Sequence, residues 1–348
     1  MKLEQRINAF VQLGKVFQHL ANNDPWPGYE SGLNEEEYRT AQATIQSAER
    51  RNGWFTEENI RFALESWAKE LREEKLKSWL AAYKLDQSSG KNVAVIMAGN
   101  IPLVGFHDAL CILLSGNRLI CKVSSQDAGL TKMALSTLQT IEPEFEPRIT
   151  VTDKQLQSFD AVIATGSDNS ARYFEAYFSK YPHIIRHNRN SVGVINGEES
   201  QEELGKIGED IFRYFGLGCR NVSKLFFPEG YRIDSFYEAI YPYKEIINHN
   251  KYANNYDYNK ALYLMGEEKL LDNGFLILKE DEKLTSPPGI LFYEFYQNDD
   301  ALKLKLESSK DDIQCIVGKF GIPFGKAQTP SLSDYADDVD TMAFLSEL

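Results

Sequence analysis

From Asn92 onward the sequence alternates short apolar runs with amphipathic stretches, and this rhythm restricts the fold more than any other feature. Residues 93–97, 118–123 and 159–164 are strand-length apolar runs. Residues 104–114 and 130–141, and the aromatic stretch of Tyr173, Phe174, Tyr177 and Phe178, read as helices. Strands that are apolar along their whole length are buried on both faces, so helices must cover both sides of the sheet. The expected architecture is therefore α/β with a mostly parallel sheet.

The region before these strands reads as helical. Thr56 is placed to cap a helix, with Phe55 and Ile60 as a hydrophobic staple, and Ile60, Leu64, Trp67 and Leu71 recur on one face. The turn cluster over 86–90 closes the region. Beyond 192–195, Leu204, Ile207, Ile211 and Phe215 define a helix that the glycines of Gly216-Leu217-Gly218-Cys219 should stop. Helices are expected over 233–248 and 258–265, and strands over 275–278 and 290–296. Residues 248–259, dense in asparagine and tyrosine, read as a polar surface loop, with a substrate entrance as the alternative. At 348 residues the chain exceeds one ordinary core. The expected divisions are a helical region (1–90), a cofactor domain (91–195), a catalytic domain (196–330) and a surface-crossing tail (331–348).

A formal charge of −13, with no basic tract, argues against nucleic acid or anionic membranes as partners. No signal-peptide core is present, and no uncharged apolar run reaches the ~18 residues of a membrane span, so a soluble cytoplasmic protein is expected. Cys111, Cys121, Cys219 and Cys315 form no CxxC pair, which fits a reducing compartment and points to neither a metal site nor a disulfide scaffold.

Four short segments carry chemistry. Cys219 follows glycines that let the backbone bend around a substrate, and a thiolate there would be a strong nucleophile. Taken alone, a free cysteine is more often an inert core residue, the reading that suits Cys111 and Cys121. Gly99-Asn100-Ile101-Pro102-Leu103 follows the first strand, where open α/β sheets place ligands; Asn100 could donate to a developing oxyanion or serve the turn alone. Lys122, Ser124 and Ser125 end the second strand and could bind ribose or phosphate; a solvated strand end is the plainer reading. Gly166 and Ser167, in Thr165-Gly166-Ser167, form a turn facing a cofactor position. No GxGxxG occurs.

The order of these segments is more specific than any one of them. Read together, they resemble the aldehyde dehydrogenase superfamily over about 90–230: its oxyanion asparagine at Asn100, its AGNTVVLKPSE segment at 116–125, its FTGS turn at 165–167 and its GQxC motif at Cys219. The closer resemblance is to the acyl-CoA reductases of the LuxC type, the fatty acid reductases of bacterial bioluminescence. It is carried by Asn52-Gly53-Trp54-Phe55-Thr56, Gly99-Asn100-Ile101-Pro102 and Cys219-Arg220-Asn221-Val222-Ser223-Lys224, and extends over nearly the whole chain. It implies an aldehyde-dehydrogenase-like fold with a Rossmann-like cofactor domain, an α/β catalytic domain and an oligomerisation element, and with the last a homo-oligomer. It also implies reduction of an acyl-CoA to an aldehyde through a Cys219 thioester, with NADPH as donor and room for an acyl-activating partner enzyme.

Two departures from the superfamily pattern refine this. Its ELGGK glutamate, the base for hydrolysis, is replaced by Arg186-His187-Asn188-Arg189-Asn190-Ser191, so the thioester should leave through CoA or hydride. His187 is then the nearest titratable candidate for proton transfer, against the bland reading of a structural histidine. The KPSE pattern ends in Ser125 instead of glutamate, which removes a repulsion toward a 2′-phosphate and favours NADPH over NADH. Glu294 is a candidate for the nicotinamide-ribose acid, or a strand glutamate facing solvent. The alternatives are a reductase of an acyl phosphate or of a partner-delivered acyl group, and a cofactor-binding protein whose catalysis has lapsed.

Overall fold

Four helices precede the first strand: α1 (Leu3–Ala21), α2 (Glu35–Arg51), α3 (Glu57–Glu70) and α4 (Glu73–Leu80). Their ends follow from local chemistry. At α2, Asn34 and Glu37 form a reciprocal capping box and Arg50 and Arg51 face the negative end of the helix dipole. At α3, the Thr56 hydroxyl accepts from Asn59 N–H at 3.3 Å, and Phe55 and Ile60 are fully buried. The computed structural model describes residues 1–85, 90–166 and 168–348; residues 86–89 of the expected turn cluster and Ser167 lie outside them.

The chain then divides into two units, 1–187 with 331–348, and 188–330. The first contains a parallel sheet of β1 (Asn92–Ile96), β2 (Arg118–Lys122), β3 (Ile149–Thr152), β4 (Ala161–Thr165) and β5 (His183–Arg186), in the order β3-β2-β1-β4-β5. Each parallel step needs a crossover; α5 (Phe106–Leu114), α6 (Leu130–Ile141) and α7 (Asp168–Phe178) supply them for β1–β2, β2–β3 and β4–β5. The strand order reverses between β1 and β4, which opens a crevice at the carboxyl ends of the strands. The N-terminal helices pack on this sheet's helical layer: Phe10 and Phe17 meet Phe106 with ring centroids 6.5 and 5.6 Å apart.

The second unit has the sheet order β11-β6-β7-β10-β9-β8. Its strands are β6 (Asn190–Val194), β7 (Val222–Pro228), β8 (Leu270–Asp272), β9 (Ile277–Glu280), β10 (Ile290–Tyr296) and β11 (Ile313–Gly318). Its helices are α8 (Gln201–Gly205), α9 (Ile207–Phe212), α10 (Ile233–Ile240), α11 (Asn250–Met265) and α12 (Asp299–Ser308).

Three expectations need correction. Residues 190–194, taken as the end of the cofactor domain, form β6 of the second sheet, because they pair with β7 and β11. Residues 248–259 are mostly helix α11, not a loop; Tyr252 and Tyr256 are buried and their hydroxyls donate to Phe275 O and the Asp272 carboxylate. The tail does not merely cross the surface. Leu332, Tyr335, Met342 and Leu345 join the first unit's core, the last two on α13 (Thr341–Ser346). Among the described residues no helix is long and apolar enough to cross a membrane.

Candidate active site

Of the expected cofactor residues, Lys122, Ser124 and Ser125 stand at or just after the carboxyl end of β2, and Gly166 just after that of β4. Lys122 ends β2; its carbonyl accepts from Met97 N–H at 3.1 Å, and its ammonium makes no hydrogen bond or ion pair among the described residues. The Ser124 hydroxyl accepts from Gln126 N–H at 3.2 Å, which leaves its own proton for another acceptor, and Ser125 is exposed. Gly99, after β1, lies directly against Ser124: a Cβ at Gly99 would come within 2.7 Å of the serine Cβ and Oγ. Gly166, after β4, sits equally tightly, with Ser170 of α7 2.7 Å from where its Cβ would be. Glycine at both places lets helix and loop close onto the strand ends, the role glycine takes around dinucleotide phosphates. Ser167 lies outside the described residues. Asn100 is exposed on the same edge, in the bend between β1 and α5. Leu103 of that connection adopts φ 57°, and α5 begins at Phe106 instead of the expected 104.

Cys219 belongs to the second unit, in the turn that enters β7. The expected helix does not run to Gly216. It ends at Phe212, and Tyr214, Phe215 and Gly216 follow with φ of 54°, 58° and 76°. Left-handed backbone costs a non-glycine residue about 1–2 kcal/mol, so surrounding contacts must hold this turn. Buried Asn221 does so from within: its amide donates to Asp210 O at 3.0 Å and Arg213 O at 2.8 Å, and its oxygen accepts from Gly218 N–H at 2.8 Å. The fully buried Ser191 hydroxyl donates to Cys219 O at 2.9 Å and lies 3.0 Å from Cys315 Sγ. The Phe215 ring stacks on His249, centroids 4.1 Å apart.

A second layer fixes Arg220. Its Nε donates to Ala327 O at 2.6 Å, and Gln328 donates to its carbonyl at 3.0 Å. The buried Asp210 carboxylate accepts from Gly325 and Ala327 N–H, at 2.6 and 2.9 Å. Sequence reasoning assigns no role to Ser191, Asn221, Asp210 or Gln328. Asn221 is legible as part of the Cys219–Lys224 motif; the other three carry no local signal.

The remaining cysteines differ in chemistry. Burial pushes the Cys121 thiol up to about 12 and the Cys111 thiol well above its ordinary value, so both stay protonated and inert. Cys219 and Cys315 are half-buried. His187 is exposed, with Nε2 3.3 Å from the equally exposed Glu175 carboxylate. Such a surface pair orients a ring only weakly. Glu294 is neither solvent-facing nor unpaired. Burial alone would raise its carboxyl, but Lys224 (2.6 Å) and Lys305 hold it below the ordinary range. Among the described residues no cluster of three metal-ligating side chains occurs.

Comparison with solved structures shows an aldehyde dehydrogenase fold. HpcC of Thermus thermophilus superposes with a TM-score of 0.64 at 11% identity, covering 91% of this chain and 70% of that one. The acetylating aldehyde dehydrogenase of Geobacillus thermoglucosidasius gives 0.61 at 11%, covering 91% and 76%. The P. syringae indole-3-acetaldehyde dehydrogenase AldA, solved with NAD+, gives 0.63 at 10%, covering 91% and 72%. A long-chain acyl-protein thioester reductase of Aliivibrio fischeri is 23% identical over 230 residues, 60% of this chain and 47% of that protein. A second, from Photobacterium leiognathi, is 23% identical over 222 residues, 58% and 45%. The chain thus spans about half the length of these relatives. A family model described as acyl-CoA reductase (LuxC) matches residues 4–240, through both the Asn52-Gly53-Trp54 segment and the Cys219 turn, and on that match the chain belongs to the acyl-CoA reductase (LuxC) family.

Proposed function

We propose that this protein reduces an activated acyl group to an aldehyde, with Cys219 as the nucleophile and NADPH as the reductant. The observation that carries the reading is the Cys219 turn: a half-buried thiol just past a left-handed bend at 214–216, with Asn221 bonding the backbone on either side of that bend and Ser191 bonding the Cys219 carbonyl. Strained backbone that surrounding contacts over-determine is a feature of functional sites.

Cys219 thiolate attacks the thioester carbonyl, an Sγ–C bond forms, and the donor thiolate leaves with the electron pair of the broken C–S bond. Asn100 is assigned to the oxyanion of that step. NADPH, when bound, supplies the hydride that converts the Cys219 thioester to an aldehyde and returns the thiolate. Neither departure requires His187 to move a proton, and its pairing with Glu175 supports no such role. Residues 186–191, the stretch that replaces the superfamily's base, contain no carboxylate, which supports loss of the acyl group by reduction, not hydrolysis. The strand-end residues suit a dinucleotide: the available Lys122 ammonium, the Ser124 and Ser125 hydroxyls, and the close-packed Gly99 and Gly166. Lys122 and Ser125 would hold the 2′-phosphate, with NADH the weaker cofactor.

The donor we favour is a fatty acyl-CoA. The named activity of the relatives, reduction of a long-chain acyl-protein thioester, favours a partner-delivered acyl group as the second reading. Intact-protein mass spectrometry with an acyl-CoA panel and no cofactor tests the first. An acyl adduct should form on the wild type and vanish in Cys219→Ser, and adding NADPH should release aldehyde. An adduct that persists in Cys219→Ser, or that maps to Cys111, overturns the nucleophile.

A further inference from the structure

The segment Asn52-Gly53-Trp54 plays no part in the chemistry above, yet Asn52 is buried (4% exposed) at the end of α2. Its side chain faces two ways. Nδ2 donates to Gln126 O at 2.9 Å, and Oδ1 accepts from Trp54 N–H at 3.2 Å. Gln126 is the residue after Ser125. Next to Asn52, the Arg51 guanidinium donates to Ala128 O at 3.0 Å. The helical N-terminal region thus grips, at two carbonyls, the loop that joins β2 to α6.

That loop has little freedom elsewhere. Ser124 is wedged against Gly99. Asp127 is buried, its carboxylate accepting from Thr131 N–H and Oγ1–H at 2.9 and 2.7 Å, so it is anchored to the first turn of α6. Ala128 and Gly129 adopt φ of 56° and 86°. Of residues 124–129, only Ser125 and Gln126 are exposed. Ser125 therefore sits on a short arch whose far foot is the Gln126 carbonyl, and Asn52 holds that foot.

We infer that Asn52 is a positioning residue for cofactor selection: it fixes the arch that sets Ser125 beside Lys122, and through it the preference for a 2′-phosphate. This rests on the reading above that Lys122 and Ser125 receive the adenosine end of the dinucleotide. Asn52→Asp keeps the shape and the acceptor toward Trp54 but replaces the donor with an oxygen facing the Gln126 carbonyl. Arg51→Ala removes the outer tie from an exposed position that leaves the core intact.

The measurement is the dissociation constant of NADPH and of NADH from the full chain, read by cofactor fluorescence, alongside cofactor-free acylation of Cys219. Asn52→Asp should weaken NADPH about tenfold, the worth of one good hydrogen bond, and NADH distinctly less, so that the NADPH/NADH ratio falls. Arg51→Ala should move the ratio the same way by a smaller factor. Acylation of Cys219 should keep its wild-type rate. Ser125→Glu and Lys122→Ala serve as controls for the underlying reading. If they too leave both constants unchanged, the cofactor lies elsewhere and the inference falls with that reading. If they shift the ratio while Asn52→Asp and Arg51→Ala do not, the inference alone is wrong. Should Asn52→Asp fail to fold, Arg51→Ala decides.

Discussion

Burial pushes the Asp210 carboxyl up to about 6 from an ordinary 3.8, although two backbone N–H groups and the Arg220 charge pull the other way. The folded chain therefore holds this proton more tightly than the unfolded chain. Its stabilising contribution is complete below about pH 4 and is lost as pH rises through about 6, a change on the order of 3 kcal/mol. Asp210→Asn removes the titration. The stability difference between wild type and variant, from urea unfolding, should fall in the wild type's disfavour between pH 4 and 6 and then level off. A difference that is flat across that window would mean Asp210 titrates normally. Nothing in the local sequence marks Asp210, because its partners Gly325 and Ala327 lie more than a hundred residues away. Cys219 and Asn100 are legible through motif order, and Asn52 only as part of a motif without a task.

At the scale of elements, the turn before Cys219 departs most from its periodicity. Apolar spacing carries the helical pattern to Phe215, but spacing records which side chains are buried and not where the backbone turns left-handed. The chain leaves the helix at Phe212, and Asn221 takes up carbonyls that the helix end leaves open. Asn221→Ala strips the Gly218 N–H and those carbonyls of their partner together. It should cost about 3 kcal/mol or more in urea unfolding and slow alkylation of Cys219. A variant with wild-type stability and thiol reactivity would reduce Asn221 to a bystander. The converse error occurs at α11, whose asparagines and tyrosines suggest a loop. Local propensity is overridden there because Tyr252, Tyr256 and Asn259 each find a distant partner. The four-residue strands β3 and β5 also escape a reading by pattern, since runs so short give no period of their own.

At the scale of the whole molecule, residues 331–348 complete the core of the first unit. Trp79 donates to the Tyr335 hydroxyl at 2.9 Å. Buried Arg186, at the end of β5, donates to Asp108, Thr341 Oγ1 and Ala336 O, at 2.6, 2.9 and 2.6 Å. Deleting 331–348 exposes the cavities left by Leu332, Tyr335, Met342 and Leu345 at roughly 1.5–3 kcal/mol each, and strands the Arg186–Asp108 pair. That sum rivals the ~5–15 kcal/mol that holds a domain together. The truncated chain should lose hydrogen-exchange protection across β1 and β4; retained protection would show that the tail is dispensable. The sequence by itself determined the α/β class, the helical N-terminal region and the order of the chemical segments, because apolar periodicity, caps and motif order are properties of neighbouring residues. Only the tertiary structure decided that β6 joins the second sheet, that the tail is core, that Asn52 reaches the Gln126 carbonyl, that Ser191 reaches Cys219, and that Asp210 reaches Gly325 and Ala327. Those facts rest on hydrogen bonds and burial between residues far apart in the chain, which no local pattern records.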